Sequence, residues 1–148
     1  MMMFVIKVIG AYFATITAAV SVEVPKQFIF KSGFSGAGGY VMYLLVIEQL
    51  GSVMATFLAS LIIVIMGQYL ARRFKAPVTI FYIPSFFPLV PGSAMYLTAY
   101  NFINGDSVAG SMFFIEALMI AGAIALAIFL IDSLLEIYSH LKHKRTTL

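Results

Sequence analysis

Apolar runs of about 18 or more residues recur along this 148-residue chain, and they decide what it can fold into. In hydrocarbon, each backbone N–H or C=O left without a partner costs on the order of several kcal/mol. A spanning segment must therefore be a helix, or a strand of a closed barrel. The runs here are continuous and do not alternate in strands of ten residues or so, which selects helices. Composition agrees: 62% of residues are hydrophobic and 10% charged. A soluble domain carries about 25% charged residues. The expected fold is an all-α polytopic integral membrane protein, with one transmembrane domain over residues 1–148.

Five segments can be marked, at about residues 4–22, 34–50, 52–71, 78–102 and 111–138. The second is the shortest and opens with Gly36-Ala37-Gly38-Gly39; Gly51 separates it from the third. With five crossings, Lys26, Lys31, the Arg72–Lys75 turn and the tail from His140 to Arg145 share one side. The Gly51 turn and the Asn101–Gly110 loop share the other and hold no Lys or Arg. That is a positive-inside pattern, with the N-terminus outside and the C-terminus cytoplasmic. Four crossings would leave residues 34–50 dipping or lying flat and put Lys26 and Lys31 outside, so five are favoured. The small residues ending the first run, at Thr17, Ala18, Ala19 and Ser21, imitate a secretory signal. However, Lys7 lies inside that run, not ahead of it.

Several chemistries find no residues to carry them. The chain has no cysteine, which removes disulfides, thiolate metal sites and cysteine nucleophiles. Its two histidines, His140 and His143, lie in the tail. Asp106 and Asp132, a conceivable aspartyl pair, fall near opposite faces of the membrane. No glycine-rich phosphate loop occurs, so the chain itself does not use ATP. The basic residues flank apolar runs, where topology places them, and do not signal nucleic acid. No catalytic residue, metal or cofactor is expected.

The fourth segment is unusual. Pro84, Pro88 and Pro91 fall close together, and Gly92 follows at once. Each proline removes a donor and clashes with the carbonyl one turn back, at a cost of about 3 kcal/mol in a helix interior. A break near the middle of the membrane is expected, and its freed carbonyls need partners. Non-helical backbone at this depth is tolerated where it is covered by protein or lines a polar cavity. Broken helices form substrate and ion sites in many secondary transporters. The half-helix starting near Gly92-Ser93 would point its amides into the break. Ser85, Ser93, Tyr82, Tyr96 and Thr98 add hydroxyls nearby. The alternative is a proline kink required by packing alone. The candidate substrate-binding residues are Pro84, Ser85, Pro88, Pro91, Gly92, Ser93 and Tyr96.

Ionisable residues in the runs are few. Lys7 is expected to snorkel to the interface. Glu48 and Glu116 sit near the outer boundary; each is either hydrated there or faces the break as carrier of a coupling proton. Asp132 reads as a solvated helix-end charge or a partner for Arg72 or Arg73. Gly10, Ala14 and Ala18, and likewise Ala117, Ala121 and Ala125, recur at four-residue spacing and suggest close helix contacts.

The run Arg72-Arg73-Phe74-Lys75-Ala76-Pro77-Val78, then Ile83-Pro84 and Pro88-Leu89-Val90-Pro91-Gly92, resembles the small subunit of the threonine/serine exporter family. The glycine-rich start of the second segment and the Gly51 turn fit the same pattern. The resemblance covers nearly the whole chain. It implies export of small amino acids, or of small dicarboxylates, driven by an ion gradient across a bacterial inner membrane. It also implies a larger membrane subunit with a hydrophilic N-terminal part as partner, beside membrane lipid, and leaves a homo-oligomer open. Ser85 departs from the glycine expected after Ile-Pro, which bears on the flexibility of that bend. A membrane scaffold and an intramembrane enzyme are the rival readings.

Overall fold

The computed structural model describes residues 2–145, with side chains through Tyr138. The basic tail from His140 therefore lies outside the described side chains. The elements are α1 (Met2–Ser21), α2 (Lys26–Phe74), α3 (Thr79–Phe86), a 3-10 turn (Phe87–Leu89), α4 (Gly92–Ile103) and α5 (Ser107–Arg145). Among the described residues there is no strand. The helices α1, α2 and α5 are each long and apolar enough to cross a membrane. The segment Thr79–Leu89 and α4 form a further pair, bent by 50° at the break between them.

At 49 residues, α2 would run roughly 73 Å if straight, more than twice the roughly 30 Å of a hydrocarbon core. It is not straight. Gly51 has φ 76° and ψ 175°, a conformation open essentially only to glycine. There the helix folds back, and its halves pack antiparallel. Gly39 lies against the Ile63 side chain and the Ala59 carbonyl, so closely that a Cβ there would collide with Ile63. At the open end of this hairpin, the Lys31 ammonium sits 3.6 Å from the centre of the Phe74 ring, a cation–π contact. Lys31, Arg72 and Arg73 thus share one end of the hairpin.

Two interhelical hydrogen bonds set the direction of α5. Ser52 pairs with Glu116 and Gln68 with Asp132, both at a separation of 64 positions. The second half of α2 and α5 are therefore parallel and in register. The chain between them must return over the same height, and only α3, the 3-10 turn and α4 are available to do so.

Two sequence expectations change. The polar stretch around residues 23–33 is not a long link, because the link ends at Pro25 and α2 begins at Lys26. Its first turns bury Phe28 and Ser32 against α3, while Lys31 caps the hairpin end. The small-residue stripes are also rotated from their expected faces. On α1, Gly10 and Ala14 point outward, and the packed face is Ala11, Thr15, Ala18 and Ala19, with Thr15 against Gly36 of α2. On α5, Ala121 and Ala125 are exposed; the buried face is Ala117, Ile120, Ala123 and Ala127. Spacing of small residues does not set helix rotation. The partner glycines and larger side chains do.

The buried centre joins Ala59, Ile63 and Val64 of α2 to Tyr82 and Phe86 of α3 and Leu89 of the turn, with Ile124, Ile128 and Ile131 of α5 against them. A second cluster packs Ala19, Val24, Phe28, Ala71 and Phe81 near the hairpin's open end. Together they hold α3, and hence the start of the break, rigidly against α2.

Candidate functional site

The three prolines free three carbonyls. Pro84 withholds the bond that Ile80 would accept; the single Ser32 hydroxyl proton of α2 is shared between the Phe28 carbonyl at 3.1 Å and the Ile80 carbonyl at 3.5 Å. Pro88 leaves the Pro84 carbonyl, which accepts the Phe87 amide. Pro91 leaves the Phe87 carbonyl, which accepts the Val90 amide at 3.3 Å. Ser85 is fully buried and donates to the Ser32 carbonyl at 3.2 Å, tying α3 to α2 a second time. Pro84 and Ser85 thus belong to a packed seam between α2 and α3.

The start of α4 is different. The Gly92 amide turns back to Val90 at 2.8 Å, and the Met95 amide bonds Pro91. The Ser93 and Ala94 amides meet no acceptor among the described residues, and no side chain caps the helix. Two polarised donors are left at the positive end of a helix dipole.

Ser93 and Ala94 border a cavity of about 270 Å³. The break supplies Pro88, Leu89, Val90, Pro91, Ser93 and Ala94 to its wall. Ser52 and Thr56, one turn apart on the second half of α2, lie on another side, with Glu116 and Phe113 of α5. Tyr40 and Tyr43, whose rings stack at 5.5 Å, complete it from the first half of α2. Glu116 is half-buried, and one of its carboxylate oxygens accepts the Ser52 hydroxyl at 2.7 Å. The lining therefore includes one carboxylate and several hydroxyls, beside two residues whose amides have no acceptor among the described residues.

Of the residues named from sequence, Pro88, Pro91, Ser93 and Glu116 come together around this cavity. Gly92 sits within the same turn without facing a neighbour. Pro84 and Ser85 lie behind it in the seam. Tyr96 is exposed and stacks on Tyr100, away from the lining. Glu48 is exposed and outside the lining. Among the described residues, Asp132 makes no ion pair with Arg72 or Arg73. It accepts from Gln68 and Tyr82. Sequence reasoning passed over Tyr40, Tyr43, Ser52 and Thr56. The signal for the last two was available, because hydroxyls at i and i+4 directly after Gly51 share one helix face.

Comparisons with known proteins bear on the family of the chain. The sequence profile of the threonine/serine exporter family matches residues 7–134. A threonine/serine exporter of Corynebacterium glutamicum is 31% identical over 99 residues, which make up 67% of this chain and 20% of that protein. The aligned part is about a fifth of the relative's length. No solved structure matches the chain. With nearly its whole helical framework inside the matched region, the chain belongs to the threonine/serine exporter family.

Proposed function

We propose that the chain is the small subunit of a secondary exporter of threonine and serine, with the cavity at the proline break as its substrate site. One observation carries the reading. A carboxylate, Glu116, lines the same small cavity as Ser93 and Ala94, whose amides have no acceptor among the described residues. An α-amino acid offers its ammonium to Glu116, its carboxylate to the α4 amides, and its hydroxyl to Ser52, Thr56 or the tyrosines. A short dicarboxylate is the second substrate class of the reading. It fits the amides as well, but its other end meets Glu116 unless that group is protonated.

The proposed topology is five crossings, with the hairpin at Gly51 as spans two and three and the bent α3–α4 pair as span four. The parallel register of α2 and α5 supports it. The N-terminus is then outside a bacterial inner membrane and the C-terminus cytoplasmic. Glu116 is the better placed of the two coupling candidates, since Glu48 stands outside the cavity. Five helices leave the cavity with an incomplete wall, so a larger membrane subunit of the same family, or a second copy, is the proposed partner. The far greater length of the Corynebacterium relative accords with that.

The test is efflux of labelled threonine, serine and succinate from cells expressing the chain, with and without the partner, against Glu116→Gln. Export of the amino acids that depends on the chain and on Glu116 supports the reading. Equal efflux in all strains contradicts it, and succinate efflux alone would move the substrate to the dicarboxylates.

A further inference from the structure

Away from the cavity, a crevice of about 380 Å³ runs between the second half of α2 and α5. Ile65, Ile131 and Leu134 line its apolar length. Gln68, Tyr69 and Arg72 line it toward the end of α2. From Ile65 to Arg72 is seven residues, or about 10 Å along the helix. Ile65, Tyr69 and Leu134 are exposed, so the crevice opens outward from the bundle. Both helices that form it are long and apolar enough to cross a membrane.

Charge gathers where the apolar strip ends. Lys31 and Arg73 stand over the Phe74 ring, at 3.6 and 6.0 Å from its centre. Arg72 borders the crevice instead. Lys26 opens α2 at the same end, and Lys75 follows it in the turn after Phe74. The carboxylates near this end are Glu23, Asp132 and Glu136, and none of them lines the crevice. Asp132 accepts from Gln68 and Tyr82. Glu136 lies on α5 level with Arg72, in the register that Gln68 and Asp132 set.

A ligand that matches both parts has an apolar chain and an anionic head. A free anion would leave the apolar length unfilled. A purely apolar chain would leave the guanidinium without an acceptor. Arginine grips a phosphate through two N–H donors in a planar fork. Basic pockets between membrane helices hold anionic lipid headgroups by the same chemistry. We propose that the crevice binds one anionic phospholipid, with its phosphate on Arg72 beside Tyr69 and an acyl chain along Ile65, Ile131 and Leu134. Bound there, the lipid covers the Gln68–Asp132 hydrogen bond from outside and braces α2 against α5. The inference rests on α2 and α5 crossing a membrane and not on the substrate reading.

The chain has no tryptophan, so one can be introduced as a reporter. Leu134→Trp sets it in the crevice, and Phe129→Trp sets it at an exposed position of α5 outside the lining. The full chain is reconstituted in phosphatidylcholine vesicles carrying bromine-labelled phosphatidylglycerol or bromine-labelled phosphatidylcholine, and quenching of the tryptophan is measured. In the Leu134→Trp chain, phosphatidylglycerol should be preferred by roughly fivefold, the gain expected from one basic residue at a membrane surface. In the Phe129→Trp chain the two lipids should quench alike. Adding Arg72→Gln should abolish the preference, while Arg73→Gln, which removes the same charge beside the Phe74 ring, should keep it.

Equal quenching of the Leu134→Trp chain by both lipids overturns the proposal, as does a preference that survives Arg72→Gln. A preference that inorganic phosphate abolishes marks a phosphate site without a lipid and overturns it too. A reporter that neither lipid quenches is covered by protein, which also contradicts it. Ile65→Trp, on the opposite wall, replaces the first reporter if Leu134→Trp fails to fold, with the same outcomes. If Arg72→Gln fails to fold, the contrast between the crevice reporter and Phe129→Trp decides.

Discussion

Ser52 donates a 2.7 Å hydrogen bond to Glu116, joining the turn after Gly51 to the first half of α5. That contact puts a carboxylate on the wall of the cavity that the proline break also lines. It also fixes, with Gln68 and Asp132, the parallel register of the two helices that flank the cavity. Removing the hydroxyl should expose its worth. A hydrogen bond to a charged group contributes about 1.5–3 kcal/mol. Ser52→Ala is therefore expected to weaken threonine binding, or the KM of export, by roughly tenfold or more, with expression unchanged. Concentration-dependent efflux from cells checks this, and an unaltered KM would detach Ser52 from the site.

Gly51 should tolerate no side chain. Its φ of 76° with ψ of 175° belongs to a region costing a non-glycine residue about 1–3 kcal/mol. Gly51→Ala should lower the stability of the purified protein by about that amount. Unfolding in a denaturing detergent series measures it, and a wild-type midpoint would mean that the turn relaxes freely.

Close packing inside the α2 hairpin gives a paired prediction. A methyl group at Gly39 meets Ile63, so Gly39→Ala should destabilise by about 1–3 kcal/mol, as overpacking does. Shortening the neighbour makes room, and Ile63→Ala in the same chain should then cost less than it does alone. The comparison is a double-mutant cycle on unfolding midpoints; strict additivity would show that the two helices separate at this point.

The seam behind the break predicts a separable effect. Ser85→Gly restores the residue expected from the family pattern and deletes the bond to the Ser32 carbonyl. The loss should be about 1 kcal/mol of stability, since the carbonyl keeps other options within its helix. Thermal inactivation should fall to lower temperature, while export at permissive temperature stays near wild type. A large loss of export without a change in stability would place Ser85 in the pathway itself.

The backbone chemistry of this protein was legible in its sequence. Pro84, Pro88 and Pro91 announce non-helical backbone wherever they occur, and Gly51 announces a turn, because both act through their own dihedral angles. Glu116 was legible as a carboxylate in an apolar run. What the sequence withheld was rotation and pairing. Nothing local to Asp132 says that Gln68 and Tyr82 face it from two other helices. Nothing in the Gly10, Ala14 and Ala18 spacing says that Thr15 faces Gly36 instead. The helical start at Lys26 was hidden for a related reason: its lysine side chains are polar, and only their placement at the hairpin's open end lets the turn they occupy pack against α3.

The central claim is that the cavity at the break holds the substrate. A chain without cysteine allows a direct test, since one cysteine can be placed at Ser93, beside the open amides. Its rate of modification by a water-soluble thiol reagent is measured in membranes, with and without threonine. The account predicts that Ser93→Cys is labelled, and that threonine slows labelling while leucine does not. A cysteine that no reagent reaches, or one labelled equally fast in saturating threonine, would contradict it.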